Sequence, residues 1–133
     1  MSDTIVVGFI RSPEGEAAVE AAVEEARRRA GRLVVVHSSK GDRDAETVVA
    51  DRDALEALER RLAGAGMEVV VRDFARGKDP AEDLADVADT EQAALIVIGL
   101  RRRSPVGKLL LGSNAQQILL TAECPVLAVK AAR

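Results

Sequence analysis

Tryptophan and tyrosine are absent from these 133 residues, and the sequence has only two phenylalanines, one histidine and one cysteine. With so few aromatic rings, the chain offers no stacking platform for single-stranded nucleic acid. Its formal net charge of −3 argues against duplex nucleic acid as a partner. A single cysteine, Cys124, excludes an internal disulfide and a cysteine-based metal site.

Long apolar runs are also missing, and none approaches the roughly 18 residues that a membrane-spanning helix needs. The first residues, Met1–Thr4, lack the basic and then apolar stretch of an export signal. We therefore expect a cytoplasmic protein without a membrane partner. The length predicts one domain, residues 1–133, with a single hydrophobic core.

Five short runs rich in β-branched residues predict strands. Those around Val35 and Val97 are apolar at consecutive positions, which is typical of strands buried on both faces. Segments with helical periodicity separate the runs. Strict alternation predicts an α/β fold, a doubly wound parallel sheet with helices on both faces. The predicted strands are Thr4–Ile10, Arg32–Ser38, Met67–Phe74, Ala94–Gly99 and Pro125–Lys130.

Capping signals predict where the helices begin and end. Ser12 followed by Pro13 is typical of a helix start, and Gly31 is expected to end that helix. Two further starts have capping-box spacing, and these are Asp79 with Glu82 and Ser113 with Gln116.

In such sheets, ligands bind outside the carboxyl ends of the strands, where the strand order reverses. Arg101, Arg102 and Arg103 follow the fourth predicted strand at this edge. A dinucleotide fingerprint is absent, because Gly8 lies inside the first predicted strand. A Walker loop is excluded as well, because Arg102 and Leu109 stand where that motif needs a glycine and a hydroxyl.

Four stretches resemble the universal stress protein family nearly end to end: "TIVVGFIRSPEGEAAVEAAVEEA", "LVVVHS", "GKDPAEDLADVADTEQAALIVIGLRRR" and "LLLGSNAQQILLTAECPVLAVK". Nucleotide-binding members carry Gly-x2-Gly-x9-Gly-Ser/Thr after the fourth strand. Gly99, Gly112 and Ser113 match that pattern, and Arg102 replaces the middle glycine. The aspartate that ends the first strand in those members, and the glycine after it, are Ile10 and Arg11 here.

The resemblance implies strand order 3-2-1-4-5 and a stress-response role by binding rather than catalysis. It implies an adenine nucleotide, ATP or AMP, as ligand, and the replacements at positions 10 and 102 predict weak ATP binding. The implied phosphate side consists of Gly99, Arg101, Arg102, Gly112, Ser113 and Asn114, and the implied nucleoside side of Gly8, Ile10, Val36 and His37.

Several of these residues have a second explanation. Helix capping accounts equally well for Ser113 and Asn114, and a strand-ending turn accounts for Gly99. The arginines are explained by anion binding or by a solvated surface. Arg102 either clamps a phosphate or fills its place. His37 is interpreted as a local hydrogen-bond partner rather than a catalyst, because no partner group is recognisable in the sequence.

The last predicted strand is expected to form a homodimer. Its uncharged run is Val126, Leu127, Ala128 and Val129, and an apolar edge strand favours pairing with another chain. The resemblance points the same way, since related proteins dimerise through this strand. Two functions stay open: a nucleotide-responsive binding module that takes an adenine nucleotide or another phosphate ligand at the Gly99–Ser113 loop, and a ligand-free dimeric scaffold for a protein partner. An ATP-cleaving enzyme is supported by fold analogy alone.

Overall fold

The computed structural model describes residues 3–39, 43–74, 79–100 and 112–131. These ranges form one parallel sheet with the order β3-β2-β1-β4-β5, which confirms the predicted α/β fold and strand order. The elements are β1 (Thr4–Gly8), α1 (Pro13–Arg28), β2 (Arg32–Ser38), α2 (Ala45–Gly64), β3 (Val69–Phe74), α3 (Pro80–Thr90), β4 (Leu95–Leu100), α4 (Ser113–Thr121) and β5 (Val126–Lys130).

Two apolar layers cover the sheet, one on each face. Alternation along β1 sends Ile5 and Val7 toward α1 and α2, and Val6 toward α3 and α4. The side chains of these three residues are fully buried, which agrees with the consecutive apolar pattern typical of a central parallel strand. Cys124 lies half-buried against the second layer, and burial raises the pKa of its thiol.

Helix α1 lies unusually close to the sheet at the carboxyl ends of the strands. Ser12 caps it, accepting a hydrogen bond from the Gly15 N–H at 3.1 Å, so the predicted start is confirmed. A Cβ added at Gly99 would stand 2.7 Å from the carbonyl carbon of Glu14, and closer still to its oxygen. The missing side chain therefore lets the first turn of α1 rest on the end of β4.

Three helices end in the same Schellman hydrogen-bond pattern, each with one residue in the left-handed region. At α2 that residue is Gly66, with φ of 83°. At α1 it is Ala30 and at α3 it is Gln92, with φ of 51° and 53°. Gly31, expected to end α1, is not the left-handed residue: α1 ends at Arg28, and Gly31 follows Ala30 and donates its N–H to the Ala26 carbonyl at 2.8 Å.

The strand bounds differ from the predicted runs by one or two residues at some ends. β1 ends at Gly8 rather than Ile10, although the Phe9 N–H still donates to the Val36 carbonyl at 2.8 Å. β4 extends to Leu100, one residue beyond the predicted end at Gly99. Within the described ranges, each helix is too short or too polar to span a bilayer.

Candidate functional site

A cavity of about 280 Å³ opens at the carboxyl ends of β1, β2 and β4, on the face covered by α3 and α4. It lies where the strand order reverses between β1 and β4, the expected position for a ligand. The predicted site residues in its walls are Gly8, Ile10, Val36, Gly99, Gly112, Ser113 and Asn114. Arg101 and Arg102 lie outside the described residues, so their predicted contacts stay predictions.

The N-terminus of α4 forms the wall at the β4 end of the cavity. The N-cap is Gly112 and Ser113 is the first helical residue, so the capping box predicted for Ser113 and Gln116 is wrong. Gly112 has no side chain that could accept a hydrogen bond from the first turn. The first N–H groups of a helix have no partner within the helix, so this wall presents donors and the positive end of a dipole.

Gly99 lies in β4 and lines the cavity, but its smallness serves a second contact. Because β4 continues to Leu100, the strand-ending turn suggested for Gly99 is wrong. The carbonyl group of Glu14 occupies the space where a Gly99 side chain would be. Gly112 differs, since a Cβ added there would meet no atom of the described residues within 4 Å. The two outer glycines of the motif therefore have different structural roles.

Ile10, at the position where the resemblance implies an aspartate, lines the cavity and is 41% exposed. None of the described wall residues is ionisable, and the polar side chains among them belong to Ser38, Ser113 and Asn114. Consequently the described walls contain no nucleophile–base pair. The described parts of the chain also bring together no group of three or more residues that could hold a metal ion.

His37 is not among the cavity walls, because alternation along β2 turns its ring to the opposite face of the sheet. There Nδ1 lies 2.9 Å from Oδ1 of Asp73, which confirms that His37 is a local hydrogen-bond partner. Asp73 is its register partner on β3, a pairing that the sequence did not reveal. The proposed contact of the His37 backbone with a base stays a prediction.

Asp51 on α2 completes a charged cluster beside His37. Its side chain is only 12% exposed, accepts a hydrogen bond from Nε of Arg11 at 3.1 Å, and pairs with Arg43. Burial raises the pKa of Asp51, but the hydrogen bonds from both arginines and the charge of His37 outweigh it and hold the pKa below its ordinary value. Asp51 is therefore a largely buried and paired carboxylate on α2.

Among the polar side chains of the described walls, Ser38 is the one that sequence reasoning missed. Its hydroxyl donates a hydrogen bond to Oδ2 of Asp83 at 2.5 Å, and Asp83 is 6% exposed in the first turn of α3. The alternation of side chains along β2 could have predicted this. If Val36 faces the cavity, then His37 faces the opposite side of the sheet and Ser38 faces the cavity again.

Comparisons with known proteins agree with this arrangement. The profile of the Universal stress protein family matches residues 1–130. A universal stress protein of Mycolicibacterium smegmatis is 44% identical over 126 residues, covering 95% of this chain and 96% of that protein. Among solved structures, a universal stress protein from Archaeoglobus fulgidus superposes with a TM-score of 0.83 at 36% identity, covering 98% of this chain and all of the other.

A second Archaeoglobus fulgidus universal stress protein, solved in complex with dAMP, gives a TM-score of 0.76 at 30% identity, with 98% of each chain covered. Family profile, sequence identity and shared fold all extend over nearly the whole chain. The chain therefore belongs to the universal stress protein family.

Proposed function

We propose that this chain is a stress-response protein that binds an adenine nucleotide, ATP or AMP, and acts by association rather than catalysis. The observation that carries the proposal is the cavity at the strand-order reversal, with the glycine-capped N-terminus of α4 as one wall. The solved relative in complex with dAMP supports an adenine nucleotide as the ligand.

The two ends of the cavity differ in a way that orients the nucleotide. Phosphate is stabilised at the α4 end, where N–H groups and the helix dipole meet it. At the β2 end, Val36 and Leu84 form apolar walls that suit a flat base. Asp83 lies behind that end, and its carboxylate repels phosphate. We therefore place the base at β2 and the phosphates at α4.

ATP affinity falls below that of relatives with the complete motif. Ile10 supplies no acceptor to the nucleoside, and a lost charge-assisted hydrogen bond costs roughly 1.5–3 kcal/mol, about one to two decades of affinity. The phosphates consequently contribute most of the binding, so polyphosphates bind better than adenosine and added salt weakens binding. Arg101 and Arg102 are proposed to contact these phosphates.

Calorimetric titration with ATP and AMP, with and without magnesium, tests the proposal. A matched pair of variants locates the phosphates on α4. Asn114→Asp places one negative charge in the cavity wall, and Gln117→Glu places one on the same helix outside it. The first change should weaken ATP binding several-fold and the second should leave it nearly unchanged. Absence of binding at millimolar ligand and low salt would end the nucleotide proposal.

Arg102→Gly separates the two roles of that arginine. Weaker ATP binding by the variant identifies Arg102 as a clamp on phosphate. Stronger binding identifies it as a side chain that occupies the place of the phosphate, which favours the ligand-free scaffold as the natural function.

The second candidate function, a dimeric scaffold, rests on the edge strand β5. In the described sheet β5 has β4 as its one neighbour, and Leu127 is 36% exposed on it. We propose that two copies associate along this edge, because an uncharged edge strand favours pairing. In sedimentation experiments, Leu127→Lys should shift a dimer toward monomer, whereas Val49→Lys, at a 54% exposed site on α2, should not. A wild-type protein that stays monomeric at micromolar concentration would refute the dimer.

A further inference from the structure

The hydroxyl of Ser38 has a fixed role in hydrogen bonding within the cavity wall. Its one hydrogen is donated to Oδ2 of Asp83 at 2.5 Å. Asp83 is 6% exposed and belongs to the first turn of α3, where the helix dipole stabilises a negative charge. A hydroxyl carries one hydrogen and two lone pairs, so Ser38 can offer the cavity only an acceptor.

An acceptor of this kind discriminates between bases that differ in one group. A purine with an amino group at the edge facing Ser38 donates a hydrogen bond to Oγ. A purine with an oxo group at the same position brings two acceptors together and leaves both without a donor. A site built around one hydrogen-bond partner rejects the analogue that lacks it, because a desolvated polar group is left unpaired.

We infer that Ser38, with its hydrogen committed to Asp83, is a specificity-determining residue that selects a 6-aminopurine over a 6-oxopurine. The inference rests on the proposed nucleotide binding and adds to it the residue that reads the base. It places the amino edge of the base at the end of β2, beside the apolar walls of Val36 and Leu84.

The distance between the two ends of the cavity fits this placement. β2 and β4 flank β1, so their ends are two strand spacings apart, about 10 Å. A nucleoside monophosphate whose phosphate lies at Gly112 on α4 can extend its base across β1 toward Ser38. The carboxylate of Asp83 repels the reverse orientation, with phosphate at β2.

Calorimetric titration of the full chain with AMP and with inosine monophosphate tests the inference, because the two ligands share ribose and phosphate and differ only at the C6–N1 edge of the base. AMP has an amino group at C6 and an acceptor at N1, whereas inosine monophosphate has an oxo group at C6 and a hydrogen on N1. The wild-type protein should bind AMP about three- to tenfold more tightly. Equal affinities would overturn the inference and leave the proposed function intact. Binding of neither nucleotide would overturn both.

Two variants and one control variant extend the test. Ser38→Ala removes the acceptor and should bring the ratio of the two affinities close to one, whereas Ser39→Ala, outside the cavity walls, should preserve it. Asp83→Asn replaces an acceptor with a side chain that also donates, which frees the Ser38 hydrogen for an oxo group. Binding of inosine monophosphate should then improve relative to AMP, a change that a purely structural role of Asp83 would not produce. A ratio unchanged in Ser38→Ala would refute the assignment, and that variant does not depend on whether Asp83→Asn folds.

Discussion

Replacement of Gly99 by alanine should destabilise the whole fold, and not the ligand site alone. The first turn of α1 rests on Gly99, and the added Cβ would stand 2.7 Å from the carbonyl carbon of Glu14. A Cβ atom essentially never approaches a non-bonded heavy atom of a residue outside its immediate chain neighbours within 3.0 Å. The obstacle is backbone rather than a flexible side chain, so either α1 or the end of β4 has to move.

The expected loss follows from how α1 is packed. The helix contributes fully buried alanines, Ala18, Ala22 and Ala26, to the layer over β1, and it cannot tilt away from Gly99 without loosening them. Overpacking of this kind costs about 1–3 kcal/mol. Gly64→Ala is the matched control, because it adds the same Cβ at the end of α2, where no atom of the described residues lies within 4 Å. Alanine is the better helix former, so the control should be unchanged or up to about 1 kcal/mol more stable.

Urea unfolding followed by far-ultraviolet circular dichroism measures both variants, since the chain has no tryptophan or tyrosine for intrinsic fluorescence. With a slope of about 2 kcal/mol per molar urea, a loss of about 2 kcal/mol lowers the midpoint by about 1 M at a fixed protein concentration. A Gly99→Ala midpoint equal to that of Gly64→Ala would refute the packing argument. If Gly99→Ala kept that midpoint but no longer bound nucleotide, a glycine would be needed at this position for phosphate binding rather than for packing.

Two further predictions concern helix ends and the buried charge on α2. Ala30→Gly should raise the free energy of unfolding by about 0.5–1 kcal/mol by relieving a left-handed alanine, and Gly66→Ala should lower it by about 1–2 kcal/mol, both measured in urea. Asp51→Asn should cost about 1.5–3 kcal/mol at pH 7, because it removes hydrogen bonds to a charged group. Since the folded state lowers the pKa of Asp51, its stabilisation is present above the unfolded pKa and is lost as the pH falls through the folded pKa. Asp51→Asn should therefore lose less stability than the wild type on acidification below about pH 5. The control Asp53→Asn, at an exposed position, should lose as much stability as the wild type. If the stability of Asp51→Asn fell with pH in parallel with that of the wild type, the argument would be contradicted.

The sheet could be predicted because its signals are local. Consecutive apolar residues around Val35 and Val97 mark strands that are covered on both faces, and each signal lies within a few neighbouring residues. The helix starts at Ser12 and Asp79 could also be predicted, because each capping oxygen accepts a hydrogen bond from an N–H only two or three residues further along the chain. At Ser113 the same local pattern misled, because Gly112 takes the cap position there.

The charged pairs could not be predicted, because they depend on register and on which face a residue occupies. His37 contacts Asp73 because β2 pairs with β3, and it contacts Asp51 because α2 packs on that face of the sheet. Both partners are far from His37 in the chain. Arg11 reaches the same carboxylate of Asp51 from the turn before α1. The charge of Arg11 is thus partly neutralised on the α2 side of the sheet. No spacing in the sequence predicts this pairing.

The glycine motif shows why a sequence match and a structural requirement have to be argued separately. Gly99 fits the nucleotide-binding pattern, yet the carbonyl of Glu14 alone is enough to require a glycine there, so its presence does not by itself indicate a phosphate. Gly112 caps α4, and no atom of the described residues lies within 4 Å of a Cβ added there, so no packing contact in the described part of the chain explains this glycine. The case for a phosphate at this edge of the sheet therefore depends on the N-terminus of α4, and substitutions on α4 test it more directly than any change at Gly99.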